Sequence, residues 1–343
     1  MKAIIKATQE AGSLQVADMP KPELGSGQVL VRIKAATLCY SDVSILNNKY
    51  VGRKLVPIPL IMGHEGAGVI EELGEEAKGL QVGDHVALEP ISGCGHCSQC
   101  QNGFQNMCMA WDHIGITEHG VFAEYIVVSA NKAHRIADNL DFAEAACCEP
   151  LGLVVRSLEQ SKPMVGDTVA ILGPGSLGLM HLLAYKAAGA SKVIVIGLDH
   201  DRERFEIARN LGADCIVNLS KQDGVEAVME CTNGMGADIV VETASSAKAT
   251  EMTVSLAASR GRVVLFGLYP SSNISPLQIT RKGLTIYGDV AQVTRQYLRA
   301  ISWMESGKVS VRELVKNRFN LDQASEAFEA AAKGNVPKVV FQL

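Results

Sequence analysis

The chain has 343 residues, 47% of them hydrophobic and 20% charged, with a formal net charge of −5. That length exceeds what one core usually supports, so two domains are expected, and the acidic balance excludes whole-molecule attraction to nucleic acid or an anionic membrane, leaving a small-molecule partner. No apolar run reaches the ~18 residues of a membrane helix, and the stretch after Met1 does not read as a signal peptide; in the cytoplasmic location this implies, nine cysteines serve as metal ligands and buried thiols rather than disulfides.

From residue 1 to about 150, short β-rich runs such as Val29–Lys34 and Phe122–Val128 are separated by Gly, Pro and Asp, which predicts a domain of many strands and turns. The pattern changes at Asp167. A strand over Thr168–Leu172, a turn at Gly173, a helix over Leu177–Ala188 and a strand over Val193–Ile196 follow one another. A helix over Asp201–Leu211 and strands over Cys215–Val217, Ala237–Glu242 and Gly261–Gly267 continue the alternation. Strands and helices alternating at this length imply a parallel sheet covered on both faces, a doubly wound α/β fold. Beyond about residue 285, a helix over Thr294–Ser306 precedes a closing strand over Lys338–Leu343.

Gly173, Gly175 and Gly178 lie between a predicted strand and a predicted helix, the context of a dinucleotide fingerprint. Gly173 permits the tight turn, Gly175 admits a pyrophosphate against the backbone, and Gly178 lets helix pack on strand. The helix start, Ser176 and Leu177, offers free N–H groups to phosphate. Asp199 follows Gly178 by 21 residues, close to the ~20 expected for an acid on the coenzyme ribose. NAD is therefore favoured. NADP stays possible, because Gly197 with His200, Arg202 and Arg204 offers room and charge for a phosphate.

Cys94-Gly-His-Cys97-Ser-Gln-Cys100 with Cys108 has the spacing of a four-thiolate tetrahedral zinc site. Cys39, Gly63-His64-Glu65 and Glu149 form a separate set of candidate ligands. Two zinc ions of different character per chain are expected. Cys147, Cys148, Cys215 and Cys231 have no partners at metal spacing and read as packing residues.

Together, these residues resemble the zinc-dependent medium-chain dehydrogenase/reductase family, nearer its polyol (sorbitol) and threonine dehydrogenase branches. The resemblance covers essentially the whole chain; its most specific pieces are Gly63-His64-Glu65-Gly-Ala-Gly68 with Gly74, and Val82-Gly-Asp-His-Val86. It implies a GroES-like β-rich catalytic domain over 1–150 with a structural zinc lobe at about 90–110. A Rossmann domain would occupy 151–284, and a return segment over 285–343 would complete the catalytic domain, with the active cleft between the two. It also implies that Cys39, His64 and Glu149 bind the catalytic zinc and that Glu65 approaches or leaves it. Cys94, Cys97, Cys100 and Cys108 match the structural zinc ligands, and Ser41 matches the hydroxyl that hydrogen-bonds the substrate oxygen and starts the proton relay.

Three positions depart from the relatives. Ser44 stands where many have histidine, Arg156 where polyol dehydrogenases commonly have histidine, and the stretch from Gly288 to Gln292 replaces one in which sorbitol dehydrogenases use arginine. Tyr40, Ile45, Trp111, His113 and His119 are candidates to line the substrate mouth. The expected reaction is reversible oxidation of a secondary alcohol, in a polyol, sugar derivative or hydroxy amino acid, to its ketone with hydride transfer to NAD(P). The resemblance implies a homodimer or homotetramer. Two alternatives remain: a non-catalytic cofactor-binding or redox-sensing protein on the same fold, and a zinc-free reductase.

Overall fold

A computed structural model describes residues 1–288, 290–334 and 336–343. The chain divides into two compact units, Met1–Gly152 with Gln292–Leu343, and Leu153–Ala291.

The first unit is built on a seven-stranded sheet whose hub is the long strand Gln28–Leu38. That strand pairs antiparallel with Glu65–Leu73, Tyr125–Ser129 and the closing strand Val339–Gln342. The registers matter for function. Thr37 faces Glu65, and Val339 faces Leu38, so the residues flanking Cys39, His64 and Lys338 meet at one end of the sheet. Beneath it Phe122 packs edge-on against Phe341, with ring centroids 4.8 Å apart, inside an apolar cluster that includes Ile4, Val31, Ile33 and Met62. Burying aromatic side chains of this size supplies much of the driving force for such a core.

The second unit is a six-stranded sheet, parallel throughout its pairings. Its strand order is Cys215–Asn218, Lys192–Gly197, Thr168–Leu172, Ala237–Glu242, Ala257–Leu265, Thr285–Gly288. Fully buried residues on Thr168–Leu172, Lys192–Gly197 and Ala237–Glu242 explain their near-continuous apolar runs. The chain order reverses between Thr168–Leu172 and Ala237–Glu242, the switch point at which doubly wound sheets bind dinucleotides. The unit differs at both ends from the sequence reading of 151–284, by two residues at its start and by more at its close. Thr285–Gly288 hydrogen-bonds alongside Ala257–Leu265 and completes the sheet, so the chain returns to the first unit only at Gln292. Among the described residues no helix is long and apolar enough to cross a membrane.

Candidate active site

Cys39 ends the hub strand and serves as N-cap of the helix Tyr40–Leu46. Asp42, at the third helical position, accepts the Cys39 backbone N–H at 2.9 Å, which fixes where the thiol starts. Gly63, with φ at +88°, turns the chain into the strand that begins at Glu65. A side chain at Gly63 would meet the Phe122 ring at 2.3 Å. This close fit puts His64 opposite the helix. Ligand atoms of Cys39, His64 and Glu65 lie within 4.8 Å of one another.

His64 and Glu65 are almost wholly buried. Ser41 Oγ lies 3.5 Å from His64 Nε2, and Asp42 Oδ1 lies 3.5 Å from His64 Nδ1. Burial pushes the His64 pKa down, but Asp42 and the Cys39 thiol outweigh it and hold the ring well above its usual value. Metal uptake at this group therefore displaces a proton. One sulfur, one imidazole nitrogen and carboxylate oxygen are the donors zinc takes in catalytic sites, so the residues fit that ion.

Glu149 is placed differently. It stands in the first turn of the helix Cys148–Ser161, is 3% exposed, and accepts a hydrogen bond from Gln292 Nε2 at 3.1 Å. Its oxygens are not part of the three-residue group. Burial pushes its carboxyl up to about 7; the His64 charge opposes this, and Glu65 adds to it. Of the stretch that replaces the sorbitol dehydrogenase arginine, Gln292 thus has a clear task, whereas Asp289 lies outside the described residues.

Trp111 and His113 form an apolar wall next to His64. The His113 ring meets His64 edge-on at 5.3 Å and Trp111 at 5.5 Å. Burial, with the His64 charge behind it, lowers the His113 pKa to about 3, so this ring stays neutral. Ile45 is buried and lines a cavity of about 480 Å³ with Tyr50, Asn48 and Arg53. Tyr50, whose pKa is raised by burial, also feels the His64 and Cys39 charges. Tyr40 is 69% exposed. His119 lines a separate cavity of about 750 Å³ and accepts the Ile61 N–H, and none of the ligand candidates lines that cavity.

The four cysteines of the second group also converge, with their sulfurs within 4.8 Å of one another. Cys97 and Cys108 sulfurs are 3.8 Å apart. The backbone N–H of Cys94 points at Cys108 Sγ and that of Cys100 at Cys97 Sγ, at 3.4 and 3.5 Å. The His96 amide leads in drawing the Cys94 thiol down to about 6, while burial pushes Cys100 up to about 12. Four thiols held by amide donors are the ligand set of a closed structural zinc.

In the second unit the glycine fingerprint has the shape expected of it. Gly173 has φ at +99°, and a side chain there would meet Ala244 N at 2.9 Å. A Cβ at Gly178 would lie 1.9 Å from Gly173 O, whereas at Gly175 nothing lies within 4 Å. Gly175 is the N-cap of the helix Ser176–Ala187, without a side-chain cap, so an open cradle meets unpaired N–H groups. Asp199 sits just beyond the strand Lys192–Gly197, exposed, with Oδ1 accepting from Asn218 Nδ2 at 2.7 Å. Asn218 and Lys221 lower its pKa. At Gly197 a Cβ would lie 2.8 Å from Asp201 Oδ2 and 2.9 Å from Phe205 Cε1, so a side chain at the strand end requires these neighbours to shift.

Residues 25–138 match the family described as the alcohol dehydrogenase GroES-like domain, and residues 176–306 match the zinc-binding dehydrogenase family. The L-threonine 3-dehydrogenase of Bacillus subtilis (strain 168) is 33% identical over 99% of this chain and 98% of its own. The sorbitol dehydrogenase of the same organism is 33% identical over 96% of this chain and 92% of its own. The structure of a zinc-binding dehydrogenase from Sinorhizobium meliloti 1021 bound to NADP is similar at a TM-score of 0.93, with 29% identity, covering 100% of this chain and 99% of that one.

The chain belongs to the zinc-dependent medium-chain dehydrogenase/reductase family. It is an NAD(P)-dependent alcohol or polyol dehydrogenase by that membership. For a zinc-dependent dehydrogenase the surroundings of His64 gain meaning. A metal-bound histidine usually has its other ring nitrogen held by a carboxylate, and here Asp42, 0% exposed, faces that nitrogen. Asp42 was not among the residues singled out from the sequence, nor were Thr37 and Lys338, and Gln292 entered only as the end of the stretch that departs from sorbitol dehydrogenases. We expect Asp42→Asn to weaken catalytic-site metal binding about 10- to 100-fold, measured by competition with a chromophoric chelator. An unchanged affinity would show Asp42 to be only a helix cap. Cys215 and Cys231, read as packing residues, do pack against the apolar core of the second unit.

Proposed function

We propose that this dehydrogenase oxidises the secondary hydroxyl of a small polar substrate, a polyol, sugar derivative or hydroxy amino acid, to the ketone, with NAD favoured as acceptor. The observation that carries the reading is the convergence of Cys39, His64 and Glu65 within 4.8 Å, with Ser41 Oγ 3.5 Å from His64 Nε2. Zinc held there supplies the Lewis acid that eases loss of the substrate's hydroxyl proton, and the nicotinamide supplies the hydride acceptor.

The chain's own residues do the rest. Cys39, His64 and Glu149 form the ligand set, Asp42 fixes the His64 ring, and Gln292 aims Glu149. Ser41 is the first acceptor of the hydroxyl proton. Ser44 provides no imidazole to pass it outward, so water or the coenzyme ribose takes it next. Trp111 and the neutral His113 shield the site from solvent and form one wall of the substrate pocket. Cys94, Cys97, Cys100 and Cys108 hold the second, structural zinc. Asp199 takes the adenosine ribose hydroxyls and disfavours a 2′-phosphate. A cytoplasmic homodimer or homotetramer is the assembly we propose, following the family.

The experiment is formation of NADH and NADPH by zinc-replete protein across polyols, sugar acids, threonine and simple secondary alcohols. We expect turnover with at least one class, stronger with NAD, and its loss in Glu149→Ala. Silence on the whole panel with two zinc ions bound would overturn the substrate reading, and a large preference for NADP would overturn the role given to Asp199.

A further inference from the structure

The cavity of about 480 Å³ that Ile45 lines is large enough for a small molecule. In a chain whose net charge is −5, its lining carries three cations, Lys6, Arg53 and Lys54, and no acid. Lys54 is matched, its ammonium lying 2.7 Å from Asp112 Oδ1. Among the described residues the other two meet only uncharged atoms. Lys6 Nζ donates to the carbonyls of Glu10 and Leu46 at 2.9 and 3.0 Å. Arg53 Nη1 donates to the Asn106 carbonyl at 3.0 Å, and its Nη2 reaches Met107 Sδ at 3.5 Å.

Lys6 is 1% exposed, and burial lowers its pKa with no acid pulling against it. A buried ammonium without a countercharge is costly to keep. Leu46 ends the helix Tyr40–Leu46, so part of the reason for Lys6 is to cap that helix, where a cation is favoured. Capping spends two of its three donors and leaves its charge unmatched. It also does not account for Arg53, exposed at the same cavity, with most of its five donors unspent.

The cavity lies next to the candidate active site. Ser41 and Ile45 are four residues apart on one helix, hence on the same face and ~6 Å apart along its axis. Ser41 is the hydroxyl that stands 3.5 Å from His64 Nε2. The cationic lining therefore begins one helical turn from the group that receives the substrate's proton.

We propose that this cavity is a substrate subsite for an anionic group, a carboxylate or a phosphate ester, carried on the same molecule as the hydroxyl that is oxidised. Lys6 supplies a point charge from within, and Arg53 a planar fork that matches either oxyanion. The inference rests on the dehydrogenase reading above and narrows its substrates to sugar acids or sugar phosphates.

The test has a binding arm and a turnover arm, both on enzyme with two zinc ions per chain, so that loss of the four-cysteine loop, which Arg53 also touches, is not mistaken for loss of the subsite. NADH saturation keeps anions out of the pyrophosphate cradle. Calorimetric titration of the saturated parent with inorganic phosphate, and separately with an aldonate, should show binding that weakens about tenfold in Lys6→Met and in Arg53→Gln, and less in Arg53→Lys. Affinities equal to the parent's in Lys6→Met and Arg53→Gln would overturn the proposal; if Lys6→Met does not fold, Arg53→Gln decides. In turnover, hexitols are compared with the aldonates and terminal phosphate esters of the same configuration. We expect an anionic member to exceed its neutral partner at least tenfold in kcat/KM, the better of the two identifying the group, and this preference to shrink about tenfold, through KM, in both variants. Inorganic phosphate should compete with the anionic substrate. A preference for the neutral hexitol, a preference that survives both substitutions, or inhibition by phosphate without competition would each defeat the assignment. Anion binding that depends on Lys6 and Arg53 without turnover of any member would instead overturn the underlying substrate reading and not the anion site.

Discussion

His64→Ala is expected to lower kcat/KM by about 10³-fold or more while leaving the affinity for NADH unchanged. The size follows from the role of the ion: Lewis-acid stabilisation of the developing alkoxide charge is worth several kcal/mol, and ~4 kcal/mol corresponds to ~10³-fold in rate. His64 is 4% exposed and stands between Ser41 on one ring nitrogen and Asp42 on the other. Its loss removes a metal ligand and the partner of the Ser41 hydroxyl together. NADH binding is spared because the cradle at Gly173, Gly175 and Gly178 belongs to the other compact unit. Fluorescence titration with NADH and steady-state rates on the same preparation check both halves. A variant that keeps activity within about tenfold of the parent would show that the metal is held without His64 or that chemistry does not limit turnover.

How much of this was legible in the sequence depends on how local the information is. The four cysteines lie within one short loop, and spacing alone identifies them as a metal knot. The glycine fingerprint is equally local: its steric demands, 1.9 Å from a Cβ at Gly178 to Gly173 O, act between residues a few positions apart. The alternation of strand and helix gave the parallel sheet, but its last strand, Thr285–Gly288, has only four residues, so its membership was missed.

The groups around the catalytic centre were hidden for a different reason. Lys338 and Glu65 are separated by 273 residues, and Gln292 and Glu149 by 143. Only sheet register and the return of the chain bring them together, and a lone Lys or Gln carries no spacing signal. Asp42 is the exception. An acidic residue three positions after Cys39, at the start of a helix, has the spacing of a capping box, and that signal was there to be used. The same local device that starts the helix also faces the histidine ring. Glu149 was reachable only through likeness to polyol dehydrogenases, because burial and the Gln292 contact, which single it out from other glutamates, exist only in the folded chain.

Cys97→Ser should cost the protein one of its two zinc ions and most of the order in the loop from Cys94 to Cys108. Cys97 is the N-cap of the short helix Ser98–Gln101, its sulfur accepting the Cys100 N–H. Serine is a good N-cap, so the substitution keeps the cap and removes the ligand, which isolates the metal's contribution. Binding of a structural zinc is itself folding free energy, ~10 kcal/mol or more in small zinc peptides near neutral pH. Side-chain contacts to the rest of the first unit anchor the loop as well. Gln105 donates to Thr294 Oγ1 at 3.1 Å, and the Asn106 carbonyl accepts from Arg53 at 3.0 Å. Thr294 in turn donates to the fully buried Glu89, which is held by Lys132 and His134 at 2.8 Å each. Disorder in the loop therefore reaches a buried carboxylate, and a melting temperature lower by about 10 °C is expected for the first unit. Metal analysis should fall from about two zinc ions per chain to about one, because the Cys39 and His64 centre shares no ligand with the loop. Limited proteolysis should cut first between Cys94 and Cys108. Retention of two zinc ions and an unchanged digestion pattern would mean that three cysteines suffice and that the lobe is held chiefly by its contacts with Thr294 and Arg53.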